Sequence, residues 1–166
     1  MVRIFGLVAL ALLPQIAEAA DEDIVGTYRL ISSQRVILDT GEKEDSYGKN
    51  PNGFITYGSD GRMTVVIVRS DRSKPESLEQ LTDMQRAELF RSMAAYAGTY
   101  KFYGDRVEHY IDASWNEIWT GTTQVRDVKR EGDRVVLCRE AFEVGRLITR
   151  AVVPNLSYTL VARSRA

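Results

Sequence analysis

Short extended segments in which apolar and polar side chains alternate, each closed by turn residues, dominate the chain from Gly26 to Ala162. A period of two sends successive side chains to opposite faces of a strand, so this pattern reads as antiparallel sheet with one dry face. The sharpest instance is Gly53 to Tyr57, then Gly58-Ser59-Asp60-Gly61, then Met63 to Val68. Glycine and aspartate there supply the backbone conformations that a tight hairpin demands. Further strands are expected at Gly26 to Asp39, Thr99 to Tyr103, Arg106 to Trp115, Trp119 to Lys129, Arg134 to Phe142, Leu147 to Val153 and Leu156 to Ala162. In the first of these Tyr28, Leu30, Val36 and Leu38 share one parity. So many strands in one domain must close on themselves to bury their apolar faces and hide their edges. The expected fold is mainly β, an antiparallel barrel of about eight or nine strands.

One segment breaks the alternation. After a polar, proline-containing loop from Arg69 to Pro75, Thr82 with Gln85 three residues on forms a capping box, and Ser77 with Gln80 offers an earlier start. Met84, Leu89, Phe90, Met93, Ala94 and Ala97 then recur at helical spacing, and Gly98 suits the residue just past a helix end. One helix is expected over residues 78–97, packed by its apolar stripe on the mouth or flank of the sheet.

Ahead of the sheet, Arg3 precedes an apolar run from Ile4 to Leu13, followed by Pro14, Gln15 and Ala17-Glu18-Ala19. This is the pattern of a secretory signal peptide over residues 1–19, with cleavage expected after Ala19. A membrane anchor needs roughly 20 apolar residues, about twice this run. The expected mature chain, residues 20–166, is one barrel domain, periplasmic or secreted, with no membrane span. Removing Arg3 and Glu18 takes one charge of each sign, so the formal net charge stays at -1. That balance argues against nucleic acid as a partner, since nucleic-acid-binding domains are strongly basic. Cys138 is the sole cysteine, so no internal disulfide forms; it is either a small buried hydrophobe or a reactive thiol. The sequence leaves the oligomeric state open.

Chemistry concentrates in the segment Arg106 to Trp115. His109 shares its parity with Ile111, Ala113 and Trp115, whereas Glu108, Tyr110, Asp112 and Ser114 take the other face. An imidazole on the apolar face needs a hydrogen-bond partner. It is a core histidine satisfied by a tyrosine or carboxylate, a group orienting a ligand, or a general acid/base with an unperturbed pKa of roughly 6.5. Trp115 and Trp119 flank Asn116-Glu117 and either line a pocket or plug the barrel end. Gly121 marks a bulge, a barrel corner or the close approach of a ligand. Gln124 and Arg126 lie on the parity opposite Trp119; inward they orient a ligand, and outward they are solvated surface, the commoner place for arginine. The acidic pair Glu42 and Glu44 and the mixed cluster Arg69, Arg72 and Lys74 read as solvated loop. Nucleophile-elbow and phosphate-loop motifs are absent, and one histidine with one cysteine makes no zinc set, so no metal or cofactor is expected.

In order along the chain stand Ile24-Val25-Gly26-Thr27-Tyr28-Arg29-Leu30, Gly53-Phe54-Ile55-Thr56-Tyr57 and Asp60-Gly61-Arg62-Met63. Ala94-Ala95-Tyr96-Ala97-Gly98-Thr99-Tyr100, Val107-Glu108-His109-Tyr110 and Trp119-Thr120-Gly121-Thr122-Thr123-Gln124-Val125-Arg126 follow. This succession resembles the bacterial and fungal lipocalin-like domain family, which usually has tryptophan in place of Tyr28. The resemblance implies a barrel with an internal cavity holding a small apolar or amphipathic molecule. It also implies that His109, Trp119, Gln124 and Arg126 occupy recurrent positions. With Tyr28, Tyr57, Met63 and Trp115 these make up the candidate ligand-binding residues.

Three functions compete. The first is binding of a small apolar or amphipathic molecule in the barrel. The second is a cavity enzyme of isomerase or cyclase type, with His109 as acid/base and no other catalytic residue expected. The third is a structural or partner-binding barrel with a filled core and an exposed apolar patch.

Overall fold

The computed structural model describes residues 24–37, 40–132, 134–138, 142–143 and 151–162, the last two stretches by their backbone. The expected signal peptide and its cleavage point lie outside the described residues, as do Leu38 and the start of the strand expected from Leu147. In chain order the elements are β1 (Gly26–Ile37), β2 (Lys43–Asp45), β3 (Asn52–Tyr57), β4 (Arg62–Val68), α1 (Asp83–Arg91), β5 (Met93–Phe102) and β6 (Arg106–Ser114). A 3-10 turn (Glu117–Trp119), β7 (Thr123–Glu131), β8 (Arg134–Cys138), β9 (Phe142–Glu143) and β10 (Ala151–Ala162) complete it.

All pairings are antiparallel, and eight strands follow one another around a ring, β1-β3-β4-β5-β6-β7-β8-β10, which β10 closes by pairing back onto β1. This is the expected barrel. The short β2 and β9 pair with the far ends of β1 and β10, extending those two long strands beyond the ring. Tight turns join β3 to β4, β5 to β6 and β7 to β8 at one end. The long connections carrying α1 and the 3-10 turn lie at the other, which we call the mouth.

Alternation places Ile55 and Tyr57 of β3, Met63, Val65 and Ile67 of β4, and Val107, His109 and Ile111 of β6 inside. Each large apolar side chain buried this way contributes roughly 1.5–3 kcal/mol. In β1 the inward face changes parity at an irregularity between Leu30 and Ser32, so Ile37 rather than Val36 is buried. In β6 a second irregularity opposite Ala97 and Gly98 turns Ala113 outward, although it shares the parity of His109 and Ile111.

The helix is shorter than the spacing suggests. The capping box at Thr82 forms as expected, with Gln85 Oε1 accepting from the Thr82 backbone N–H at 2.9 Å. But α1 ends at Arg91, and Met93 to Ala97 belong to β5, where they pair with Val68 to Thr64 of β4. Edge satisfaction explains the difference: the backbone of β4 needs a partner along its whole length, and that pairing overrides a local helical pattern. The helix buries none of its residues; Met84 and Phe90 are exposed, and its apolar contact with the barrel is Phe90 against Trp115. Gly98 therefore does not cap a helix. It lies in β5 beneath the bulge, where an added Cβ would be driven onto the Tyr110 carbonyl oxygen.

The strand expected from Trp119 also begins later, at Thr123, and Gly121 sits in the preceding turn with φ +77° and open space around it. The two glycines thus predict different costs. Gly98→Ala should lower the unfolding free energy by about 1–3 kcal/mol through overpacking. Gly121→Ala should cost about 1–2 kcal/mol through backbone strain alone. In thermal unfolding, the Gly98 variant is expected to be the less stable, and the reverse order would contradict the packing described here.

Candidate functional site

Strands β3, β5, β6 and β7 each project polar groups into the barrel, and these converge on His109. The imidazole is fully buried, with Nε2 2.8 Å from Tyr57 Oη and Nδ1 3.1 Å from Tyr96 Oη. A neutral imidazole offers one donor and one acceptor, so one tyrosine donates to the bare nitrogen and the other accepts from the ring N–H. This resolves the partner question in favour of tyrosines on either side. Gln124 pairs with His109 across the β6–β7 ladder. Two residues on, Arg126 donates from Nη2 to Gln124 Oε1 and from Nη1 to the Val125 carbonyl oxygen at 2.8 Å.

Gln124 and Arg126 are both buried, so of the two faces the sequence left open for them the inward one holds. The reason is local. Trp119 belongs to the 3-10 turn and not to β7, so parity counted from it does not carry across the turn at Gly121.

Burial first, and the Arg126 charge second, push the His109 pKa down from 6.5 to about 3. The imidazole is therefore neutral at physiological pH. A base whose conjugate acid is this strong is a poor proton acceptor at neutral pH. The geometry makes His109 a fixed dipole held between two hydroxyls.

Aromatic rings connect this centre to both ends of the barrel. Tyr28 meets Tyr57 edge-on at 6.2 Å between ring centroids, and Tyr57 lies 5.7 Å from the imidazole. On the far side Tyr96 lies 5.9 Å from the imidazole, Trp119 meets Tyr96 at 5.7 Å, and Trp115 meets Trp119 at 4.8 Å. Trp115 Nε1 donates to the Phe90 carbonyl oxygen at 3.2 Å, which ties the indole to α1. Tyr28 Oη donates to the Ile24 carbonyl oxygen at 3.0 Å and so serves the segment entering β1.

Of the candidate residues, Tyr28, Tyr57, Met63, His109, Gln124 and Arg126 face the interior, Trp119 packs against the core, and Trp115 is half-buried beyond it. Tyr96 and Tyr100 were missed. Both are buried on β5, and Tyr100 Oη donates to the Gly58 carbonyl oxygen at 2.9 Å. The signal was present: Ala94, Tyr96, Gly98, Tyr100 and Phe102 alternate at a period of two straight through the notional helix end. Two clefts open elsewhere. A polar one of about 500 Å³ lies between α1 and Arg69 to Ser73, and a shallow apolar groove of about 320 Å³ runs over Val66, Ala95, Ala97 and Trp115. Cys138 is half-buried, and burial raises its thiol pKa against the opposing pull of Lys129, away from the lowered range of reactive thiols.

A family model described as a lipocalin-like domain matches residues 25–156. The chain belongs to the lipocalin-like domain family. Curated proteins compared with it return no match. As in the sequence resemblance, the lipocalin-like match takes in every strand from β1 to β9, the first half of β10 and all the candidate residues. No described helix of this lipocalin-like chain is long and apolar enough to cross a membrane.

The buried triad makes two measurable demands. Tyr57→Phe leaves His109 Nε2 without its hydroxyl and should cost about 1–3 kcal/mol in urea unfolding. Acid should also destabilise the fold through His109: below 6.5 the unfolded chain binds a proton that the folded imidazole refuses until about pH 3. Stability on this account is full above pH 6.5 and falls by about 1.4 kcal/mol per pH unit below it. His109→Gln, which keeps a donor and an acceptor for the tyrosines, should lose about 2 kcal/mol less than the native protein between pH 7 and pH 5. Parallel losses in the two proteins would show that the imidazole is not the group responsible.

Proposed function

We propose that this protein binds a small amphipathic molecule inside the barrel, admitted at the mouth past Trp115 and Trp119. The observation that carries the reading is the arrangement of the interior: a few convergent polar groups, Tyr57, Tyr96, His109, Gln124 and Arg126, set among apolar and aromatic side chains. Binding sites for small molecules are built this way, with apolar walls for affinity and a few polar groups for orientation. Membership of the lipocalin-like family supports the same reading. Export belongs to the proposal, on the strength of the leader-like residues 1–19.

The placement of His109 favours binding over acid/base catalysis, because both ring nitrogens are already engaged by Tyr57 and Tyr96. The test is direct. Protein purified without denaturation is expected to carry a bound small molecule in native mass spectrometry. Adding that molecule back to stripped protein should shift tryptophan fluorescence, and Trp119→Phe should remove most of the shift. Stripped protein whose fluorescence and melting temperature ignore every extracted compound would defeat the proposal.

A further inference from the structure

We propose that the ligand is a monoanion and that its carboxylate sits against the buried guanidinium of Arg126 beside Gln124. This deepens the binding reading above and rests on it. Arg126 is 7% exposed and Gln124 5%. The guanidinium has five N–H donors, and its bonds here go to two neutral acceptors, the Gln124 side chain and the Val125 carbonyl. Among the described residues no carboxylate pairs with it. The arginine ion pairs described, Arg35–Glu44, Arg62–Asp112, Arg69–Asp71 and Arg106–Glu108, all involve outward-facing side chains.

An uncompensated charge in a dry interior costs several kcal/mol, and an apolar residue of similar volume would fill the same space at no such cost. The charge is compensated once an anion enters. Arginine suits that role because its rigid fork matches the two oxygens of a carboxylate, and Gln124 already holds one edge of the fork in place. The charge count selects the class. Arg126 is the one buried cation of the described interior, and the neighbouring imidazole is neutral. A carboxylate balances it, whereas a phosphate monoester at nearly two negative charges would leave an excess. Along β7, Arg126 lies one inward position farther from the mouth than Gln124, so the anion enters first. Its apolar body then trails toward Tyr96 and the tryptophans.

The experiment uses three probes with one apolar body, decanoate, 1-decanol and decylamine, titrated into the stripped native protein and followed by tryptophan fluorescence. Decanoate is expected to bind about tenfold or more tighter than decanol, and decylamine weaker still. Arg126→Met should bring decanoate down to the affinity of decanol and leave decanol itself within about twofold. Equal affinity for decanoate and decanol in the native protein would overturn the anion assignment while leaving the binding reading intact. No binding of any of the three would remove that reading as well. The native comparison decides the matter even if the methionine variant does not fold, and Arg126→Lys supplies a second variant. It keeps the charge without the fork and should retain a reduced preference for the acid.

Discussion

Closure of the sheet by β10 onto β1 is the interaction on which everything else depends. The two strands pair from Thr27 with Ala162 to Ile37 with Val152, and this one ladder turns a row of strands into a ring without edges. Without it the inner faces of β3 to β8 would look into water, and His109 would be an ordinary surface histidine. With it, every polar group on those faces has to find its partner inside.

That dryness accounts for the character of the site. In a medium of low effective dielectric an imidazole flanked by two tyrosines is stable only as a neutral ring, and a nearby guanidinium makes its protonation harder still. The same medium makes the buried Arg126 charge costly unless hydrogen bonds or an opposite charge offset it. Neutral His109 and charged Arg126 are thus two outcomes of one solvent condition. The first is a weak base that desolvation keeps unprotonated, and the second holds a delocalised charge through hydrogen bonds to Gln124 and the Val125 carbonyl.

Much of the architecture could be read from local pattern, and the departures have identifiable causes. The hairpin around Gly58 to Gly61 and the capping box at Thr82 are encoded within a few residues, and both form as written. The helix end is different. Met93 to Ala97 satisfy a helical spacing and a strand spacing equally well, and the need of β4 for a partner decides between them. The faces of β1 and β6 were misjudged beyond Leu30 and Ile111, because a bulge reverses parity and nothing in the alternation announces it.

The candidate site shows the same division. That His109 would be buried and need a partner followed from its parity with Ile111, since alternation on a strand is a property of the backbone alone. That the partners are Tyr57 and Tyr96, from strands 52 and 13 residues away in the chain, followed only from ring closure and register. Gln124 and Arg126 are the clearest case. Their strand mixes polar and apolar residues on both faces, so composition did not choose a side; the pairing of Gln124 with His109 did. Outside Met93 to Ala97 and Trp119 to Thr122, sequence by itself determined which segments extend and where they turn, because those choices depend on neighbours within a few bonds. Tertiary structure decided which faces meet, because that depends on how distant strands share their hydrogen bonds.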